Sequence, residues 1–279
     1  MIEWRRQIIS ISVFLAAFGL LYASAIQGMV LDWYHDENYS HGFLIPLISG
    51  YLVWQRLDEL KEVEYRPNAL GFAVALLGIA LFLFGMLAGE SFTMRFSMLA
   101  VLGGAILYGY GVGLMKAVAF PFAYLLYMIP LPYILYDSIA FPLKLMVSKY
   151  SVAFLKMIGI PVMRDGNVIN LVSTTLEVAD ACSGIRSIVS LLALATALAY
   201  FSHQGWMKRT ILIFSALPIA IFANGVRVIG TGILANRYGA AAAQGFFHEF
   251  AGLVIFGVAM ALLLVTSFIL GKIGGRGHE

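Results

Sequence analysis

An all-α, polytopic integral membrane helical bundle is predicted for this chain, with about eight transmembrane helices, an interfacial helix and a small outer-face β-hairpin. Three observations predict it. Hydrophobic residues make up 61% of the 279 positions and charged residues 12%, where a soluble domain carries about a quarter charged, and the mean hydropathy is +0.88. Several apolar runs exceed the roughly 18 residues that cross a bilayer. Lysine and arginine lie between those runs instead of forming one basic face, and the net charge is only +3, which argues against a nucleic-acid partner.

Each element follows from its local sequence. Arg5 and Arg6 precede the first run, about Ile8 to Val30, and hold the N-terminus in the cytoplasm, because positive charge beside a span resists translocation. That run is longer than a signal-peptide core and shows no small-residue cleavage site, so a retained helix is expected. Asp32 to His41 is then an outer loop, acidic and aromatic, without Lys or Arg. Gly42 to Trp54 returns as a short span containing Pro46, and Arg56, Lys61 and Arg66 mark a cytoplasmic loop. Leu70 to Ala88 crosses out, Phe96 to Leu114 crosses back, and Ala117 to Ile129 crosses out again before Pro130 and Pro132 stop the helix.

Tyr136 to Ile158 is apolar but carries Lys144, Lys149 and Lys156. A lysine at the bilayer centre costs about 2.5 kcal/mol or more, so this segment is expected to lie in the interface. Parity agrees. With it flat on the outer face, the spans Ile185 to Phe201, Ile211 to Gly230 and Phe247 to Leu270 leave the basic loop His203 to Arg209 and the tail from Lys272 inside. Asp165-Gly166 is a turn signal, and β-prone residues at Val168 to Val172 and Leu176 to Ala179 predict the hairpin. The chain therefore reads as one transmembrane domain: five spans in 1–135, the interfacial helix and outer loop in 136–181, and three spans in 182–279. Both termini are expected in the cytoplasm, with no further domain after the last span.

This topology puts three unusual residues at one depth on the outer side. Cys182, the sole cysteine, precedes an inward span; Arg227 lies near the end of an outward one; His248 opens the last. A thiol at a helix N-terminus has its thiolate favoured by the dipole and by a nearby cation, which makes Cys182 a candidate nucleophile. His248 suits general acid or base work, and Arg227 suits an oxyanion or a substrate carboxylate. Asn224 shares a helical face with Arg227 and would hold its guanidinium. Arg186, one turn from Cys182, competes for the cation role, and Asp180 would neutralise either arginine. Bland readings stand beside these: a packing thiol, an interfacial histidine, an arginine whose stem snorkels outward. No metal-ligand spacing and no phosphate-binding glycine loop appears, so neither metal nor cofactor is expected.

Ala181-Cys-Ser-Gly-Ile-Arg186, then Asn224-Gly-Val-Arg227 and Phe247-His248, with Tyr39-Ser-His-Gly-Phe-Leu-Ile-Pro46 early on, resemble the exosortase/archaeosortase family. The third residue is histidine, as in the bacterial exosortase branch. The resemblance implies a membrane-embedded cysteine transpeptidase or protease with Cys182, Arg227 and His248 as its triad. Ser183 and Gly184 fall in the cysteine motif. Tyr39 and His41 fall in the early one; from their place on the outer side they either line the substrate path or, on the blander reading, form a hydrogen-bonded interface pair. It further implies protein substrates with a Pro-Glu-Pro-like (PEP-CTERM-like) motif, a transmembrane helix and a basic tail. They would be cut at the periplasmic face of a bacterial inner membrane through a Cys thioester, which is then resolved by hydrolysis or by transfer to an acceptor such as an envelope lipid or glycan. The competing class is a transporter or lipid flippase in which Arg227 and Arg186 line a polar path. The cysteine separates them, since a transporter tolerates its loss.

Overall fold

In lipid no water satisfies the backbone, so apolar segments bond their own N–H and C=O groups and become helices. A computed structural model describes residues 2–172, 174–178, 185–202, 205–239 and 246–273. Among the described residues, five helices are long and apolar enough to cross a membrane, or six if one bent pair counts as a span. The chain divides into two units, Met1–Pro132 and Tyr133–Glu279.

The first unit begins with α1 (Ile2–Leu21) and α2 (Ala23–His35). The retained helix expected over 8–30 is a pair bent by 67° between them. Tyr22 sits at the break, fully buried, with its hydroxyl 3.0 Å from Ser97 Oγ. A 3-10 turn, Glu37–Phe43, leads into α3 (Leu44–Gln55), and α4 (Leu57–Glu62) follows. Further on come α7 (Ala119–Tyr124) and a 3-10 turn, Leu125–Met128. The spans expected over 42–54 and 117–129 fall on these short pieces: the 12 residues of α3 reach about 18 Å, against a hydrocarbon layer of about 30 Å. They pack on one another, and Ser49 Oγ donates to Pro121 O at 2.8 Å.

Between them, α5 (Leu70–Ala88) takes the expected bounds, and α6 (Ser91–Ala117) is longer than expected at both ends. Gly71, Gly78 and Gly85 repeat every seventh residue along α5, against α6. A Cβ on Gly71 would overlap Tyr108 N, and one on Gly78 would come within 2.7 Å of Val101 Cγ2. Bare backbone lets two helices meet this closely where lipid supplies no hydrophobic drive to pair them. Glu90 caps α6, accepting from Phe92 N at 3.0 Å and Thr93 N at 2.6 Å. Burial pushes its carboxyl up, but the hydrogen bonds from Thr93 and Phe92 and the Arg95 charge outweigh it and hold the group below its usual range. Arg95, expected in an outer loop, is instead inside α6. It is 6% exposed and bonded to Asp32 Oδ2 at 2.7 Å. Near its C-terminal end α6 is interrupted by Gly111, whose φ of 83° and ψ of −174° let Arg66 O approach. A side chain there would have no room and the wrong φ.

The second unit opens with α8 (Tyr133–Met157). This is the segment expected to lie in the interface; it passes the same length and apolarity test as the crossing helices. The expected hairpin is present and has a third strand. In the antiparallel sheet, β2 (Val168–Leu171) lies between β1 (Val162–Asp165) and β3 (Thr175–Glu177). Asp165 pairs with Val168 across the turn, and Gly166 takes a φ of 60°, the first-position glycine that a two-residue turn calls for. Ile169 and Leu155 are fully buried in a cluster with Val147, Val178 and Val228, which ties the sheet to α8 and to the later helix that carries Val228. Ser148 Oγ adds a bond to Gly166 O at 2.9 Å.

The unit closes with α9 (Ile185–Ser202), α10 (Trp206–Tyr238) and α11 (Phe246–Lys272). They share a core of Leu191, Ala195, Leu212, Ala216, Ala220, Ala259 and Leu263. The span expected to end at Gly230 runs on to Tyr238. Gly232 does not stop the helix; it admits Leu155 of α8, whose Cδ1 lies 2.9 Å from where its Cβ would be.

Candidate active site

Arg227 marks the place where the helices of the second unit come together. Helices α9 and α10 pack against each other, and Ile188, in the first turn of α9, shares one buried cluster with Ala223, one turn before Arg227 on α10. Asn224 is 4% exposed, on the α10 face that also buries Ala220, Ala223 and Val228. Arg227 is half-buried, and its Nε is shielded from solvent. A guanidinium inside an apolar helix is expensive, and its fields are strong where water is excluded.

Helix α11 reaches Arg227 through Gly252. A Cβ built there lies 3.3 Å from Arg227 Nη2, 3.4 Å from Cζ and 3.7 Å from Nη1. His248 occupies the first turn of α11, one turn before Gly252 and on the same helical face, about 6 Å along the axis. The structure thus brings the helix stretches carrying Arg227 and His248 together. It also changes the reason for the juxtaposition: Arg227 is not at the end of its helix, which runs on to Tyr238, and it meets α11 at Gly252.

Arg186 falls in the first turn of α9. Asp180, Cys182, Ser183 and Gly184 lie outside the described residues; in sequence, Cys182 stands three residues ahead of Ile185.

Tyr39 and His41 belong to the first unit, half-buried in its 3-10 turn. The glycine of their motif has a packing reason that sequence alone did not reveal. Gly42 lies flat against the indole of Trp33, where any Cβ would overlap the ring. Trp33 Nε1 in turn donates to Met128 O at 2.8 Å, and Phe43 packs edge-on to it with centroids 5.2 Å apart. Among the described residues no group of His, Cys, Asp and Glu is placed to hold a metal ion. Two partners escaped sequence reasoning, the Asp32–Arg95 pair and Gly252, because each depends on a contact between distant stretches.

Fold and site together define a multi-pass helical membrane protein that keeps a guanidinium and a buried amide between apolar helices. Residues 33–265 match the family described as transmembrane exosortase, and the chain belongs to that family. The match takes in the early Tyr39–Pro46 motif and the positions of Cys182, Arg227 and His248. No curated protein and no solved structure matches the chain.

Proposed function

We propose that this chain is a membrane-embedded cysteine transpeptidase or protease that cleaves C-terminal sorting signals of exported proteins. The observation that carries the reading is the contact of α10 and α11 at Arg227, one turn from His248, in a chain of the transmembrane exosortase family. Cys182, just ahead of α9, is the nucleophile; the helix N-terminus and a neighbouring guanidinium favour its thiolate. Its sulfur adds to the scissile carbonyl, and Arg227 donates to the oxyanion or to a substrate carboxylate. His248 takes the thiol proton and passes it to the leaving amine as the C–N bond breaks, so the acyl group stays on sulfur as a thioester. Water, or a nucleophile from an envelope lipid or glycan deprotonated by His248, then releases it.

Asn224 steadies Arg227. Arg186, Asp180, Ser183 and Gly184 shape the surroundings of the thiol, and Tyr39 and His41 line the substrate path. Substrates carry a PEP-CTERM-like motif, a transmembrane helix and a basic tail, and reach the site laterally through the lipid. The site faces the periplasm from a bacterial inner membrane, and both termini are cytoplasmic.

The test is processing of a tail-signal protein by the enzyme reconstituted in liposomes. Cys182→Ala and Cys182→Ser each abolish cleavage, and mass spectrometry of a quenched wild-type reaction maps a substrate thioester to Cys182. Undiminished processing by Cys182→Ala overturns the reading and favours a transporter or flippase.

A further inference from the structure

We infer that Gly252 is a positioning residue for Arg227, a flat platform on which the guanidinium stacks and which fixes the tilt of the plane that holds its N–H donors. The inference rests on the reading of Arg227 as part of the active site. Its basis is the pattern of three distances: a Cβ on Gly252 lies 3.3 Å from Nη2, 3.4 Å from Cζ and 3.7 Å from Nη1. An approach along the N–H edge, in the guanidinium plane, would leave Cζ farther away than both nitrogens. Here Cζ is nearer than Nη1, so Gly252 approaches the face.

Face and edge do different work. All five N–H donors of a guanidinium lie in its plane, and that fork gives bidentate recognition of carboxylates and oxyanions. A neighbour stacked on the face fixes the tilt of the plane and uses none of the donors. Glycine suits the place because a Cβ at 3.3 Å would be tighter than ordinary contact and would push the guanidinium by a few tenths of an ångström. The contact is selective among nearby glycines. A Cβ on Gly257, farther along α11, or on Gly225 or Gly230, which flank Arg227 on α10, would meet nothing within 4 Å. Because His248 is one turn away on the same face, Gly252 also sets how closely the guanidinium approaches that position.

The experiment measures kcat and KM for cleavage of a tail-signal protein in liposomes by wild type, Arg227→Lys, Gly252→Ala, Gly252→Ser, Gly257→Ala and Cys182→Ala. Rates are normalised to enzyme that elutes as folded protein. Gly252→Ala changes whichever of kcat and KM Arg227→Lys changes, by about tenfold, since sub-ångström misplacement of a catalytic group is felt at this scale. Gly252→Ser, with a longer side chain, changes it further, and Gly257→Ala leaves both at wild type. A purely structural glycine lowers the folded yield and leaves kcat and KM per folded enzyme intact. That result in both Gly252 variants, or wild-type kinetics in Arg227→Lys, overturns the inference while a dead Cys182→Ala keeps the cysteine mechanism standing. Activity in Cys182→Ala overturns the mechanism itself.

Discussion

The α5–α6 pair of the first unit and the α9–α10–α11 group of the second are both apolar helix packings, yet they are joined by opposite means. In the first, Gly71, Gly78 and Gly104 bring backbone against backbone. In the second, alanine and leucine side chains from three helices fill the space, and Gly225, Gly230 and Gly257 stand open. A glycine in this chain therefore has no uniform meaning. At Gly71, Gly78 and Gly104 it is a condition of assembly, and in α10 and α11 it is mostly dispensable, apart from Gly232 against Leu155 and Gly252 against a charge. The glycines beside the two arginines fit the same division of labour: Arg95 lies in a packed pair with the carboxylate of Asp32 at 2.7 Å, and Arg227 lies against Gly252 of α11.

The largest effect expected from this contrast is at Gly71. Gly71→Ala puts a methyl group into the backbone of Tyr108; with no flexible side chain able to yield, it costs about 3 kcal/mol, the upper end of overpacking penalties. The thermal midpoint in detergent reads this as a fall of many degrees, and a normal midpoint would break the comparison. Next is Asp32→Asn. It leaves the Arg95 charge, 7% exposed, without its carboxylate, whose own exposure of 45% moderates the cost to about 2 kcal/mol. Asp32→Asn with Arg95→Met recovers most of that loss, because removing both charges also removes the unpaired one.

Smaller is the cap of α6. Glu90→Ala costs about 1 kcal/mol. The wild-type contribution is also pH-dependent: a carboxyl held below its usual range stabilises the fold above the ordinary carboxylate pKa, and that stability is lost as pH falls through the folded-state value. Thermal midpoints of wild type and Glu90→Ala are therefore expected to converge below about pH 4. The smallest effect, and opposite in sign, is at Gly257. Gly257→Ala has open space around it and stabilises the helix by about 0.5 kcal/mol or leaves it unchanged; a clear loss there would erase the distinction between the two regions.

What was legible in the sequence depended on how local its cause is. The bounds of α5 followed from one unbroken apolar run, and the Gly166 turn from an Asp-Gly pair. The bend at Tyr22 was not legible, because hydropathy is the same on both sides and the break is held by a hydroxyl bond to Ser97, far along the chain. For the same reason α3 and α7 read as spans: apolar composition does not reveal that two short helices pack on each other. Within the candidate site, Arg227 stood out as a charge in apolar sequence and His248 as the start of a helix. Gly252 did not stand out, being one of 28 glycines and distinguished only by what it touches.

At 33 residues, α10 is about 50 Å long, well beyond the roughly 30 Å of hydrocarbon in a typical bilayer. Such a helix meets hydrophobic mismatch by leaning or by extending past the lipid, and the lean changes with membrane thickness. Arg227 is carried on that lever, so acyl-chain length becomes a physical control on the depth of its guanidinium. Reconstitution in a series of lipids of increasing chain length, with processing as the readout, should give a rate that peaks at one thickness; a flat series would show that α8, α9 and α11 hold α10 at a fixed angle.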